Sequence, residues 1–184
     1  LERADVVALG PGLGQGDWGR ALYAQVLASD KPLVLDADAL NLLAAAPQAS
    51  QRWIITPHPG EAGRLLGRPT AEVQADRFAA VRELQARFGG VAVLKGAGTL
   101  IFGASHRPPG LCSDGNPGMA SGGMGDALTG IVAALVAQGL SLEEAAGAGV
   151  CLHAAAGDLA AARGGERGLL ASDLIAALRP VLNR

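Results

Sequence analysis

Residues 116–130 read NPGMASGGMGDALTG. Glycine fills three of the four positions 122–125, an aspartate follows at 126, and the chain then runs into an apolar helical pattern, IVAALVAQG, at 131–139. A glycine-rich turn that opens a helix leaves backbone N–H groups without partners. Those groups and the helix dipole attract anions, phosphate above all. Gly122, Gly123 and Gly125 carry no Cβ, so a ligand can approach the backbone closely. Asp126 has an ordinary reading as a helix N-cap. A cap needs at most one glycine, however, and a loop this costly points to an anion docking on it, with Asp126 beside the reacting atom as a base. No Lys-Ser or Lys-Thr follows the glycines, so this is not a P-loop.

Outward from this loop the chain alternates. ADVVALG, PLVLDA, RWIITP, GVAVLKG and GTLIFG are short apolar runs bounded by turn residues, as suits strands buried on both faces of a parallel sheet. Lys95 and Thr99 flank a glycine turn, which predicts a hairpin. Helices are expected from near Asp17, over DALNLLAAA, and as one long amphipathic element over TAEVQADRFAAVRELQARFG. The last third reads as three helices rich in Ala and Gly, which permit close packing. Ser141 with Glu144 forms a capping-box pattern, and Gly139 and Gly164 read as helix stops. The 184 residues contain no repeat and no linker, and are read as one α/β domain spanning 1–184.

Composition narrows the function. Hydrophobic residues make up 49% and charged residues 17%, and the net charge of -2 leaves no nucleic-acid footprint. No apolar run is read as a membrane span and no signal peptide is read, so no membrane is expected as a partner and the cytoplasm is the expected compartment. Cys112 and Cys151 are expected as two buried free thiols. The chain opens LERADVVALG rather than with Met, so an upstream segment is expected.

The stretch NPGMASGGMGDALTGIVAALVAQG resembles the signature of the ADP- or ATP-dependent NAD(P)H-hydrate dehydratases, a branch of the ribokinase-like superfamily. Four further segments agree in order: LGPGLG at 9–14, LDADALNLL at 35–43, TPHPGEAGRLLG at 56–67 and VLKGAGTLI at 93–101. The resemblance implies a three-layer α/β/α fold with a mostly parallel central sheet. It also implies that two or three leading strand–helix units of the complete domain lie outside this chain, and that another segment covers the strand in ADVVALG. The implied activity is repair: the S form of hydrated NADH or NADPH is phosphorylated on its ring hydroxyl by ADP or ATP, and phosphate is then eliminated. A Mg²⁺ ion, a fused or separate epimerase and a homo-oligomer are further implications.

Each motif also has a plainer reading. GPGLGQG follows a strand at its carboxyl end, where open α/β sheets bind ligands, but it would serve equally as a tight strand–helix turn. The resemblance makes Gly12 and Gly14 the approach for the hydrated dinucleotide. In LDADALN, Asp38 suits a cap for the next helix. Asp36, more buried by pattern, suits a contact to substrate, directly or through Mg²⁺. Asn41 reads as a helix-surface residue or a substrate contact. His58, between two prolines, is at least part of a rigid loop; the resemblance places it on the substrate and makes Glu61 the residue that orients the metal through water. Lys95, Gly96, Ala97, Gly98 and Thr99 offer a cation, amides and a hydroxyl, and by resemblance hold the AMP part of the donor. Asn116, Pro117, Gly118, Met119, Ala120, Ser121, Gly122, Gly123, Met124 and Gly125 complete the nucleotide site, with Met119 and Met124 also serving as packing residues. His106 reads as a surface-turn residue and His153 as a helix residue. Two other functions fit the same anion hole: a vitamin-precursor kinase acting on a small alcohol, against which TPHPGE and KGAGT argue, and a non-catalytic nucleotide-binding module, for which Asp126 would be superfluous.

Overall fold

The short Val- and Leu-rich runs form strands and the patterned segments between them form helices. The computed structural model describes residues 1–105 and 108–183, so the reading of His106 falls outside the described residues. Among the described residues the order is β1 (Val7–Leu9), α1 (Asp17–Leu27), β2 (Leu33–Leu35), α2 (Ala37–Ala45), β3 (Trp53–Ile55), α3 (Pro59–Leu66), α4 (Thr70–Ala75), α5 (Arg77–Phe88), β4 (Val91–Leu94), β5 (Thr99–Phe102), β6 (Gly110–Cys112), a 3-10 turn (Pro117–Met119), α6 (Met124–Ala137), α7 (Leu142–Gly164) and α8 (Ala171–Leu182).

The strands lie in one sheet in sequence order, β1 to β6. β1 to β4 are parallel, and β4–β5 and β5–β6 are antiparallel, so the hairpin around the KGAG turn forms as expected. Consecutive parallel strands joined by right-handed crossovers place all their helices on one face. That face buries Leu33, Leu35, Trp53, Ile55, Ala92 and Leu94 under α1 to α5. The alternate residues Val34, Ile54, Val91 and Val93 point the other way and are covered by α6 and α7. A third cluster, including Met124, Ala156, Leu174 and Ala177, packs α8 against α6 and α7. The result is the expected three-layer arrangement.

Several expectations change in detail. The long helix over 70–88 is two helices, because Asp76 leaves helical geometry and its carboxylate accepts from the Ala79 N–H at 2.9 Å, capping α5. Strand β6, the short GLC run, was not anticipated. Gly164 is the last residue of α7 and Gly165 its cap, one position beyond the expected stop. Both cysteines are free, but only Cys112 is buried, while Cys151 is exposed. Helix α7 contains an 18-residue window of mean hydropathy 1.3, by length and composition apolar enough to cross a membrane, where the sequence reading finds no such run. Its Ala and Gly residues score as apolar without bulk, and its buried positions, Ala145, Ala146, Val150 and Ala154 among them, pack onto the sheet and α6. The capping box of α7 is as read: the Ser141 N–H donates to Glu144 at 3.0 Å and the Glu144 N–H returns to Ser141 Oγ at 3.3 Å.

Candidate active site

Because β1 to β4 are parallel, the segments that leave their carboxyl ends gather along one edge. These are GPGLGQG after β1, DAD after β2, TPHPGE after β3 and KGAG after β4. The backbone links neighbours there: the Asp36 N–H donates to Leu9 O at 3.1 Å, Thr56 N–H to Leu35 O at 3.0 Å and Lys95 N–H to Pro57 O at 2.9 Å. The first turn of α6 reaches the same edge.

Lys95 and Asp36 join these parts. Lys95 Nζ lies 2.6 Å from Asp36 Oδ1, with the two side chains 17% and 2% exposed. Thr129 Oγ1 donates to Asp36 Oδ2 at 3.0 Å. A Cβ on Gly125 would stand 3.1 Å from Lys95 Nζ and 3.4 Å from Asp36 Oδ2, so glycine there lets the start of α6 settle onto the ion pair. Thr129 lies one turn further along α6 than Gly125. The network therefore fixes the helix start against the ends of β2 and β4. Both Asp36 oxygens are thus engaged, one by Lys95 and one by Thr129.

The start of α6, next to this network, has no side-chain cap; its N-cap is Gly123, at φ 86°. Its first amides therefore have the unpaired character that attracts an anion. Asp126 is not the cap: it is exposed in the first turn, and no hydrogen bond engages its carboxylate among the described residues. The loop is held from behind. Asn116 Nδ2 and the Gly115 N–H donate to the two oxygens of Asp158 at 2.9 and 3.0 Å, Gly118 N–H donates to Asn116 Oδ1 at 3.1 Å, and Ser121 Oγ donates to Leu169 O at 2.9 Å. Asn116 and Ser121 thus shape the loop. Met119 packs over Gly115 and Gly157, and Met124 is buried, as their packing role requires.

The other expected residues lie around the same edge. Gly12 and Gly14 are exposed on the β1–α1 loop, but the Gly14 N–H is taken by Asp38 Oδ2 at 2.8 Å. Asp38 therefore ties the β1–α1 loop to the first turn of α2 instead of capping that helix, whose N-cap position is Asp36. Asn41 Oδ1 accepts from Arg64 Nε at 2.8 Å. His58 is exposed and caps α3: Gly60 N–H donates to its Nδ1 at 3.0 Å, and the His58 N–H donates to Glu61 Oε2 at 2.8 Å. Glu61 is buried, with Oε1 3.5 Å from His58 Nε2. Among the described residues no group of three or more His, Cys, Asp or Glu is placed to hold a metal. Mg²⁺ commonly takes one or two carboxylates and completes its shell with phosphates and water, so the single carboxylate of Glu61, with one oxygen committed to the cap, fits a water-mediated role.

Thr129, Asp158 and His153 were not picked out by the sequence. His153 Nε2 lies 2.9 Å from Met124 O. That carbonyl can only accept, so Nε2 carries the proton. Burial holds the His153 pKa below the ordinary value; the bond to Met124 opposes this and the charge of Lys95 adds to it. A neutral imidazole thus braces the first residue of α6.

Comparison with known proteins agrees with this arrangement. The family model described as NAD(P)H-hydrate dehydratase matches residues 1–180. The bifunctional NAD(P)H-hydrate repair enzyme of Coxiella burnetii is 57% identical over 183 residues, covering 100% of this chain and 37% of that protein. The ADP-dependent (S)-NAD(P)H-hydrate dehydratase of Neisseria meningitidis is 44% identical, covering 100% of this chain and 65% of that protein. Among solved structures, the ADP/ATP-dependent NAD(P)H-hydrate dehydratase of Bacillus subtilis, co-crystallized with ATP/Mg2+ and soaked with CoA, superposes with a TM-score of 0.88 at 34% identity, over 100% of this chain and 68% of that one. The chain spans little more than a third of the bifunctional relative.

Proposed function

This chain belongs to the NAD(P)H-hydrate dehydratase family, with its ribokinase-like fold, and on that premise we propose that it carries the machinery for nucleotide-dependent dehydration of the S form of hydrated NADH or NADPH. The observation that carries the reading is the uncapped first turn of α6, which sets Asp126 beside free amides above the Lys95–Asp36–Thr129 network.

In this reading the amides at Gly122–Gly125 hold the transferring phosphoryl group. Asp126 accepts the proton of the ring hydroxyl as that oxygen attacks the terminal phosphorus of the donor, and the bond from phosphorus to the bridging oxygen breaks, releasing AMP from ADP or ADP from ATP. The carbon–oxygen bond of the new ester then breaks and phosphate departs, which restores the ring double bond on loss of a neighbouring proton. Hydroxide leaves poorly and phosphate well, so the protein contributes positioning and charge neutralisation rather than new bonds of its own. Lys95 supports the helix start, and residues 95–99 face the AMP part of the donor. A Mg²⁺ ion held by Glu61 through water would offset phosphate charge. ADP is the donor we propose, since the Neisseria relative is described as ADP-dependent, and ATP is the other nucleotide to test. An epimerase acting on the R hydrate is the partner that the bifunctional relatives suggest.

The test is recovery of NADPH absorbance from its S hydrate with ADP and with ATP, beside phosphorylation of hydroxyethylthiazole and hydroxymethylpyrimidine. Hydrate turnover without alcohol phosphorylation is the expected result, and the reverse would make the protein a vitamin-precursor kinase. Asp126→Asn should lower hydrate turnover by about a hundredfold to ten-thousandfold while leaving nucleotide binding intact. Undiminished turnover in that variant would remove Asp126 as the base.

A further inference from the structure

The turn between β4 and β5 is held in an unusual way. Arg77, the first residue of α5, reaches it because the helix break at Asp76 starts α5 there. Its guanidinium donates to Ala97 O at 2.7 Å, Leu94 O at 3.1 Å and Lys95 O at 3.2 Å. Thr99 Oγ1 donates to the remaining carbonyl, Gly96 O, at 3.1 Å. Four successive carbonyls, 94 to 97, are thus drawn onto side-chain donors. The amides have the opposite fate. Lys95 N–H is spent on Pro57 O, but the N–H groups of Gly96, Ala97 and Gly98 have no partner among the described residues. Gly96 and Gly98 hold the turn open at φ 138° and 71°, where other residues are strained. A Cβ on Gly96 would stand 3.0 Å from the guanidinium, so Arg77 presses against the turn.

The charge of Arg77 is also unbalanced. Among the described residues no carboxylate lies within ion-pair distance of it, and its Nε is buried without a partner. Burial pushes its pKa below the ordinary value without removing the charge. Three consecutive free amides beside an unpaired cation are the kind of groups that draw an anion.

We propose that Arg77 is a positioning residue for the donor: by pulling the carbonyls of the turn inward, it presents the amides of Gly96, Ala97 and Gly98 to the phosphate that stays in the AMP part of the nucleotide. Arg77 does not touch the ligand; it fixes which way the turn's dipoles face. The inference rests on the assignment of residues 95–99 to the donor.

The experiment uses the full-length protein and its Arg77→Gln and Arg77→Lys variants, with melting temperature as the check on folding. Binding of adenosine, AMP and ADP is measured by calorimetry, and kcat and KM are measured separately for donor and hydrate. The expected result is a loss of about tenfold to a hundredfold in AMP and ADP affinity and a matching rise in donor KM, with adenosine affinity and hydrate KM unchanged. Arg77→Lys should recover only part of the loss, since one ammonium cannot span the three carbonyls. Equal weakening of adenosine and AMP would overturn the proposal by making Arg77 a general support of the fold, as would wild-type affinity for AMP in both variants. The underlying assignment has its own readout: amide exchange at 96–98 in the wild-type protein should slow when AMP binds. No slowing, with AMP bound elsewhere, would overturn the assignment and the inference with it.

Discussion

At the scale of single residues, Asp36 governs the site. Its carboxylate is buried, and its charge is balanced by Lys95. Removing one member of a buried pair leaves the other uncompensated, at a cost of about 3–5 kcal/mol. Because Lys95 keeps 17% exposure, Asp36→Asn should fall toward the lower end, about 3 kcal/mol in urea unfolding. The double variant Asp36→Asn with Lys95→Met should recover part of that loss, and strictly additive losses would show the pair to be uncoupled. His153 gives a second expectation. Its folded-state pKa lies below the unfolded value of 6.5, so the unfolded chain takes up the proton first. Stability is therefore complete above that value and falls as pH drops below it toward the folded pKa. His153→Gln keeps a donor for Met124 O but does not titrate, so stability between about pH 8 and about pH 5 should fall less in the variant than in the wild-type protein. Parallel profiles would show that His153 is not the group concerned. The place of Asp126 at the start of α6 was legible in the sequence, because a glycine-rich turn ahead of an apolar run marks a helix start. Arg77, Thr129 and His153 were not, since each is an ordinary residue of a helix until the fold brings distant partners to it.

At the scale of elements, α3 sets a proposed role for Glu61 in holding Mg²⁺ beside its observed role in the helix cap. Glu61 closes the capping box with His58, and a Gln can do the same, since its carbonyl accepts the His58 N–H. Glu61→Ala should cost about 1 kcal/mol of stability. Glu61→Gln should melt close to the wild-type protein yet need more Mg²⁺ for half-maximal hydrate turnover. An unchanged Mg²⁺ requirement would leave Glu61 as a cap alone. Helix α3 was not visible: TPHPGE reads as a rigid loop, and neither the helix that begins at Pro59 nor its reciprocal cap follows from that reading. The break between α4 and α5 was not visible, because a surface Asp fits an amphipathic pattern as well as it fits a cap. Strand β6 was missed because three residues carry no period.

At the scale of the whole molecule, the sheet was legible because its strands are apolar on both faces, and that pattern alone demands a helical layer on each side. Which helices covered which face required the strand order. The second layer depends on close approach between α6 and α7. A Cβ on Gly149 would stand 2.6 Å from Val132 Cγ2. Gly149→Val should therefore destabilise the protein by about 1–3 kcal/mol through overpacking, and Val132→Ala in the same chain should relieve part of the loss. No relief would place the strain elsewhere. The strand order has one more consequence, in time. Strands β1 to β5 and helices α1 to α5 are all encoded by residue 102, whereas the covering helices end at residue 164. A chain leaving the ribosome can lay down its sheet and first helical layer in order, each strand beside the last. The face bearing Val34, Ile54 and Val93 then stays wet until α7 emerges, an interval on the order of ten seconds at ordinary rates of synthesis. During that interval the growing chain is a half-sandwich whose bare apolar side is prone to association.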